Sequence, residues 1–220
     1  MNKYMNVRIA LLPPALLIAC VLVARPAFAE PADAAHLRAQ WKAHWITASN
    51  APERDPAVIH VRKTVTFPTV PERCVVHVSA DNRFILHVNG QRVGVGPARG
   101  DLEHWRFSTF DLAPFLRPGA NLVAATVWND GAHAPVAQIS KQLGFILQSD
   151  DAAGAGLDTD KTWEAALERG HGPNPAGLEP LRKRYFYYAA GPAERRDGAL
   201  YDWAWDKPES PRERWAPARA

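Results

Sequence analysis

Cysteine is nearly absent from this chain, with two in 220 residues, Cys20 and Cys74. Cys20 lies in a leader-like N-terminus, so Cys74 alone would remain after processing, and a disulfide framework is excluded. An excess of charge of one sign is missing as well. Removing residues 1–29 takes away Lys3, Arg8 and Arg25, leaving 23 of the 26 basic residues against 23 acidic ones. A nucleic-acid-binding surface leaves a basic footprint, and Leu181-Arg182-Lys183-Arg184 is only a local cluster. No apolar run is long enough for a convincing membrane span, because Pro13 and Pro14 interrupt residues 9–23. Internal repeats of solenoid or propeller length are absent. So are the sequence devices of catalysis. There is no Gly-x-Ser-x-Gly elbow, and Gly94-Val95-Gly96 lacks the third glycine and the βαβ setting of a phosphate loop. No two carboxylates are paired as glycoside hydrolysis requires.

The N-terminus has the pattern of an export signal over residues 1–29. Lys3 and Arg8 form the basic region, residues 9–23 the apolar region, and Ala27-Phe28-Ala29 a small-x-small cleavage site before Glu30. This predicts a periplasmic or secreted protein cleaved after Ala29. Leu17-Ile18-Ala19-Cys20 also resembles a lipoprotein box, but Val21-Leu22-Val23 follows where a polar tether is expected.

What is present is strand pattern. A short helix is expected at residues 31–40 and a proline-punctuated loop at 50–56. Residues 58–67 alternate, with Ile59, Val61, Val65 and Phe67 on one face and His60, Arg62, Thr64 and Thr66 on the other. In the next strand Val76 and Val78 point inward and His77 outward. Asp81-Asn82-Arg83 bends the chain into Phe84-Ile85-Leu86-His87-Val88. Asn89-Gly90 then favours positive φ at both positions of a type I′ turn, and Arg92-Val93-Gly94-Val95 returns. Residues 122–128 and 143–148 read as strands, and 159–168 as a last strand anchored by Trp163 or, alternatively, a helix carrying Trp163 and Leu167. Short strands at regular spacing predict an all-β fold, an antiparallel β-sandwich of the jelly-roll, galactose-binding-like type, over residues 36–170. Residues 171–220 read as a linker and the start of a further, incomplete β region, with a possible strand at 184–190. Trp203, Trp205 and Trp215 are a large apolar load for a free end, and should pack on the sandwich or on something outside the chain.

His60, His77 and His87 all fall on the polar phase of their strands. That predicts solvated side chains, and no spacing supports a shared metal. Arg99-Gly100-Asp101 sits in a turn, where Asp101 can cap its own backbone. Arg99, Asp101, Glu103 and His104 would form a local charge network with Trp105 inserted in the core. Sugar binding needs an aromatic face and a few polar groups. The candidates are Trp105, Trp128, Asn129 (with Asp130 beside it), Asp81 and Asn82, and Asp81 with neighbouring carbonyls is a candidate calcium site. The structural alternatives are that Trp105 and Trp128 are core anchors and that Asp81-Asn82 is a turn.

Taken together, Ser79-Ala80-Asp81-Asn82-Arg83-Phe84, Val88-Asn89-Gly90, Gly96-Pro97-Ala98-Arg99-Gly100-Asp101 and His104-Trp105-Arg106 resemble the N-terminal β-sandwich of bacterial α-L-rhamnosidases. Phe110-Asp111-Leu112-Ala113-Pro114 and Val127-Trp128-Asn129 extend the likeness, which begins near Trp41 and runs to the end of the chain. In that family a downstream (α/α)6 barrel carries the catalytic acids. The resemblance therefore implies an accessory domain without catalytic residues, either truncated or free-standing. Its partner would be a catalytic glycosidase domain or a rhamnose-containing glycan, the alternative being a stand-alone lectin-like module. A complete small glycosidase is the third reading.

Overall fold

The computed structural model describes residues 40–150, 154–174, 176 and 191–220. The expected leader at 1–29 with its Cys20 box, the helix at 31–40 but for Gln40, the cluster at 181–184 and the strand at 184–190 lie outside the described residues.

Alternating aliphatic residues make β1 (Ala57–Phe67) a long strand, and it pairs antiparallel with β6 (Gly119–Asn129) from Ala57↔Asn129 to Phe67↔Gly119. β6 also pairs with β3 (Arg83–Val88), which forms a hairpin with β4 (Gln91–Gly96). Asn89 at φ 52° and Gly90 at φ 76° give the positive-φ turn expected of Asn-Gly. A bulge between Leu86 and His87 shifts the register and brings Gly94 against Phe110. A Cβ on Gly94 would stand 2.3 Å from Cε1 of that ring, so only glycine fits. On the far side β1 pairs with β8 (Glu164–Glu168), which carries the short β11 (Ala216–Pro217), completing six strands in the order β11-β8-β1-β6-β3-β4.

A second sheet of three strands has β2 (Val75–Asp81) between β5 (Ser108–Asp111) and β7 (Gly144–Ser149). β9 (His171–Asn174) and β10 (Ala193–Arg196) form a separate two-stranded ribbon. All pairings are antiparallel, and no α-helix occurs among the described residues. The result is an all-β sandwich of six strands on three.

Its core holds Ile59 and Val61 of β1, on the face that alternation assigned inward, with Phe84 and Leu86 of β3, and with Val123, Ala125 and Val127 of β6, the phase opposite to Trp128. These meet Val76, Val78, Phe145 and Leu147 of the second sheet. Phe84 packs edge-on to Phe110 and Phe145 at 6.2 and 6.0 Å, and Phe145 lies 5.9 Å from Trp163, which is fully buried. Edge-to-face rings at these separations add to the burial of their area.

The polar phases of β1 and β2 correct one expectation. His60 and His77 are not solvated but buried, each at 1 % exposure. Trp41 and Phe107 cover His77. Over His60 lies the C-terminal segment: Trp205 stacks on its ring at 4.3 Å, and Tyr201 meets it edge-on at 5.9 Å. Trp205 also contacts His87, while Trp215 stacks on the Arg62 guanidinium at 3.9 Å. Thr47 pairs with Arg219. The tail tryptophans at 205 and 215 therefore pack on the sandwich, and Trp203 stays 65 % exposed.

Beneath this strap, Glu168 accepts hydrogen bonds from Arg214 Nη2 at 2.9 Å and Gly170 N at 2.6 Å. Asp202 accepts one from Ser210, which in turn accepts from Trp215 Nε1. His60 Nδ1 is 3.6 Å from Glu168, and neither ring nitrogen has a hydrogen-bond partner among the described residues. Burial first, then Arg214, His171, Arg196 and His87, hold this imidazole well below its ordinary range and so neutral.

Two outcomes follow from this packing. Trp163→Ala should cost about 3–5 kcal/mol in urea unfolding, the usual loss for emptying a large core site. For His60 the docked state binds fewer protons than an opened one below the free imidazole value of about 6.5. Stability from the strap is thus complete above that pH and is lost as pH falls below it. Hydrogen exchange at residues 201–217 should speed up from pH 7.5 to 5 relative to the core, and His60→Phe should flatten that dependence. Identical pH profiles for the two proteins would refute the assignment.

Candidate functional site

The chain changes sheets at one corner. β2 ends at Asp81, β3 starts at Arg83, and only Asn82 lies between them. A carboxylate buried at 2 % exposure must be hydrogen-bonded, and Asp81 is. Its Oδ1 accepts from Asn82 Nδ2 at 2.7 Å and Asn129 Nδ2 at 3.0 Å. Its Oδ2 accepts from the backbone N–H groups of Lys141 at 2.6 Å and Gln142 at 2.8 Å. The two amide oxygens are used as well: Asn82 Oδ1 accepts from Asp130 N, and Asn129 Oδ1 from Gly131 N. Three of the five sequence-predicted residues, Asp81, Asn82 and Asn129, thus form one buried knot joining β2, β6 and the loop before β7.

This geometry does not fit the calcium ion considered for Asp81. A calcium site converges six to eight oxygens on one point. Here every side-chain oxygen of the knot faces an N–H donor, and no three His, Cys, Asp or Glu residues converge among the described residues. The strand histidines do not converge either, since His77 belongs to the three-stranded sheet and His60 to the six-stranded one.

The other two predicted residues go to separate concavities that share this knot. Trp105 lines a pocket of about 530 Å³ with Trp45, Leu102, Asp81, Lys141 and Arg219. Trp105 is half-buried, not in the core, on the loop between β4 and β5. Asp101 shapes that loop by accepting from the N–H groups of Glu103 and His104 at 2.9 and 2.8 Å. These bonds hold its carboxyl below the usual range. Ser79 pins the loop's end by donating to Arg106 O at 2.6 Å. Trp105 meets Trp45 edge-on at 6.2 Å and 83°. Trp45 is 42 % exposed, and its ring lies over Gly144, where a Cβ would come within 3.1 Å of Cε3. Trp105 Nε1 is buried with no hydrogen-bond partner among the described residues. The pocket is therefore an aromatic corner with an unmatched donor.

Trp128 is likewise half-buried, on the outer face of the six-stranded sheet. It lines a smaller, more polar cleft of about 280 Å³ with Arg83, Asp130, Gln138, His171 and Glu194. Trp45, Arg83, His171 and Glu194 were missed in the sequence. Trp45 carried a weak signal in its spacing from Trp41, whereas the other three are brought in by sheet register and by the β9–β10 ribbon. Asp81→Ala should destabilise by about 3–5 kcal/mol, since it strands two backbone donors and two amides in a buried site, and Asp81→Asn by less. Chemical denaturation of both variants checks the order.

No protein-family model and no curated protein matches the chain. Its fold is found in solved structures. A GH78 family rhamnosidase of Bacillus sp. GL1 is 24 % identical with a TM-score of 0.69, over 83 % of this chain and 18 % of that one. The α-L-rhamnosidase from Dictyoglumus thermophilum is 16 % identical with a TM-score of 0.57, over 81 % and 21 %. The α-L-rhamnosidase from Aspergillus terreus is 17 % identical with a TM-score of 0.54, over 81 % and 21 %. The chain spans about a fifth of the length of these proteins. It has the fold of a β-sandwich found within α-L-rhamnosidase chains.

Proposed function

We propose that this chain is a non-catalytic accessory domain of an α-L-rhamnosidase-like glycoside hydrolase, and that it holds a rhamnose-containing glycan in the Trp45–Trp105 pocket. The observation that supports this most is the fold, shared over four-fifths of this chain with about a fifth of three rhamnosidases. The pocket suits the ligand. L-Rhamnose is a 6-deoxy sugar whose methyl group and ring face suit an indole pair. Lys141 and Arg219 in the pocket lining supply donors for the hydroxyls. Asp81 acts here as a positioning residue, because its bonds to Lys141 and Gln142 set the pocket wall.

A stand-alone lectin-like module holding the same glycan is the second reading. Either reading fits export through the leader at residues 1–29 to the periplasm or medium. Among the described residues no helix is long and apolar enough to cross a membrane.

Calorimetric titration of the full chain with L-rhamnose should give saturable binding that weakens about tenfold in Trp105→Ala. Calcium should leave it unchanged. Absence of binding with and without calcium defeats the glycan-holding role. Release of p-nitrophenol from an α-L-rhamnoside by this chain alone overturns the non-catalytic one.

A further inference from the structure

The cleft at Trp128 has a different chemistry from the Trp45–Trp105 pocket. Its floor is one row across the six-stranded sheet, in which Val58 pairs with Trp128 and Trp128 with Arg83. One wall is the loop after β6, with Asp130 and Gln138, and the other is the β9–β10 ribbon, with His171 and Glu194. The walls meet closely, since a Cβ on Gly191 would stand 3.2 Å from Asp130 Oδ2.

Hydrogen-bonding capacity on the floor and on the ribbon wall is left over. Arg83 Nε is buried with no partner among the described residues, and it can only donate. His171 Nε2 lies 3.2 Å from Glu194 Oε2, and burial, followed by Arg196, holds its imidazole below the ordinary range. In the neutral ring Nε2–H donates to Glu194, so Nδ1 is an acceptor, and it too is buried without a partner among the described residues. An unmatched donor and an unmatched acceptor among the lining residues suit a ligand that carries both accepting and donating groups, as a polyhydroxylated ring does. Charge points the same way. Arg83 and Arg99 stand against Asp130 and Glu194, so the lining has no net sign to select an ion. Burial, then Glu194, raises the Asp130 carboxyl above its usual range, which a bound anion would aggravate. The indole of Trp128 supplies the flat apolar surface. The volume, about 280 Å³, falls just below the usual range for drug-sized ligands and suits one ring, not an oligomer.

We propose that the Trp128 cleft is a second binding site, taking one neutral, polyhydroxylated sugar residue, separate from the Trp45–Trp105 pocket. It shares with the proposed function only the class of ligand, and rests on different residues.

The test uses the full chain with its tryptophan indole N–H signals resolved by NMR. Methyl α-D-glucoside, methyl α-D-galactoside and methyl α-D-mannoside are titrated one by one, with D-glucuronate as the charged control. At least one glycoside should shift the Trp128 indole saturably while leaving that of Trp105 in place. Asp130→Asn and Gln138→Ala should each weaken that binding several-fold, and Trp105→Ala should change it less than about twofold. Glucuronate should bind about tenfold more weakly or not at all. A Trp128 signal unmoved by all three glycosides overturns the second site, and glucuronate binding as tightly as the best glycoside overturns its neutral class. L-Rhamnose shifting only the Trp105 indole, with Trp128 silent throughout, leaves the first pocket standing and removes this one. The reverse pattern does the opposite.

Discussion

A carboxylate taken out of water loses its hydration and must recover it from N–H donors, or it costs several kcal/mol. At the corner where the chain crosses from the three-stranded to the six-stranded sheet, Asp81 recovers it from four donors on three segments. This ties together parts of the chain that sequence keeps about 60 residues apart, as the Asp81–Lys141 bond illustrates. The loop before β7 is held by those bonds, and that loop forms part of one pocket, while Asn129 of the same knot reaches the other. Ligand geometry on both sides of the corner thus depends on one buried charge. Its hydrogen bonds also explain why the residue reads as a ligand in sequence and behaves as a fastening in the fold.

The second constraint is the outer face of the six-stranded sheet. An antiparallel sandwich usually leaves such a face to water. Here the C-terminal strap covers it, placing Trp205 on His60 and His87 and Trp215 on Arg62. Polar side chains under the strap are joined through Glu168, Arg214, Asp202 and Ser210, while His60 remains neutral and unmatched among the described residues. The tail in turn leaves only Trp203 of its tryptophans strongly exposed.

Much of the fold was legible because it rests on local chemistry. Alternation marked β1 and β2 with their inward residues and β3 as a strand, Asn89-Gly90 marked the hairpin, and Trp163 was recognisable as a core anchor. The site was legible in part. Asp81, Asn82 and Asn129 were singled out and do come together, yet as mutual hydrogen-bond partners. Trp105 and Trp128 were expected mainly as core, and both stand half-buried in pockets, one on the loop between β4 and β5 and the other on the outward phase of β6. Arg83 lay in a recognised motif with no role assigned to it, and His171 and Glu194 lay in none. Only the register of β3 on β6 and of β10 on β9 brings them to one cleft.

By itself, the sequence determined the longer strands, the tight turn, the inward faces of β1 and β2 and the all-β class, since each follows from side-chain periodicity and backbone preference within a few residues. It also gave the resemblance to a rhamnosidase sandwich through an ordered set of short motifs. Tertiary structure alone decided that His60 and His77 are buried and that the tail closes a sheet face. It also decided that the candidate sugar ligands divide between an aromatic pocket and a polar cleft. The physical reason is that burial and hydrogen-bond partnership are relations between segments far apart in the chain, and a periodic pattern records which face a residue lies on, not what comes to cover it.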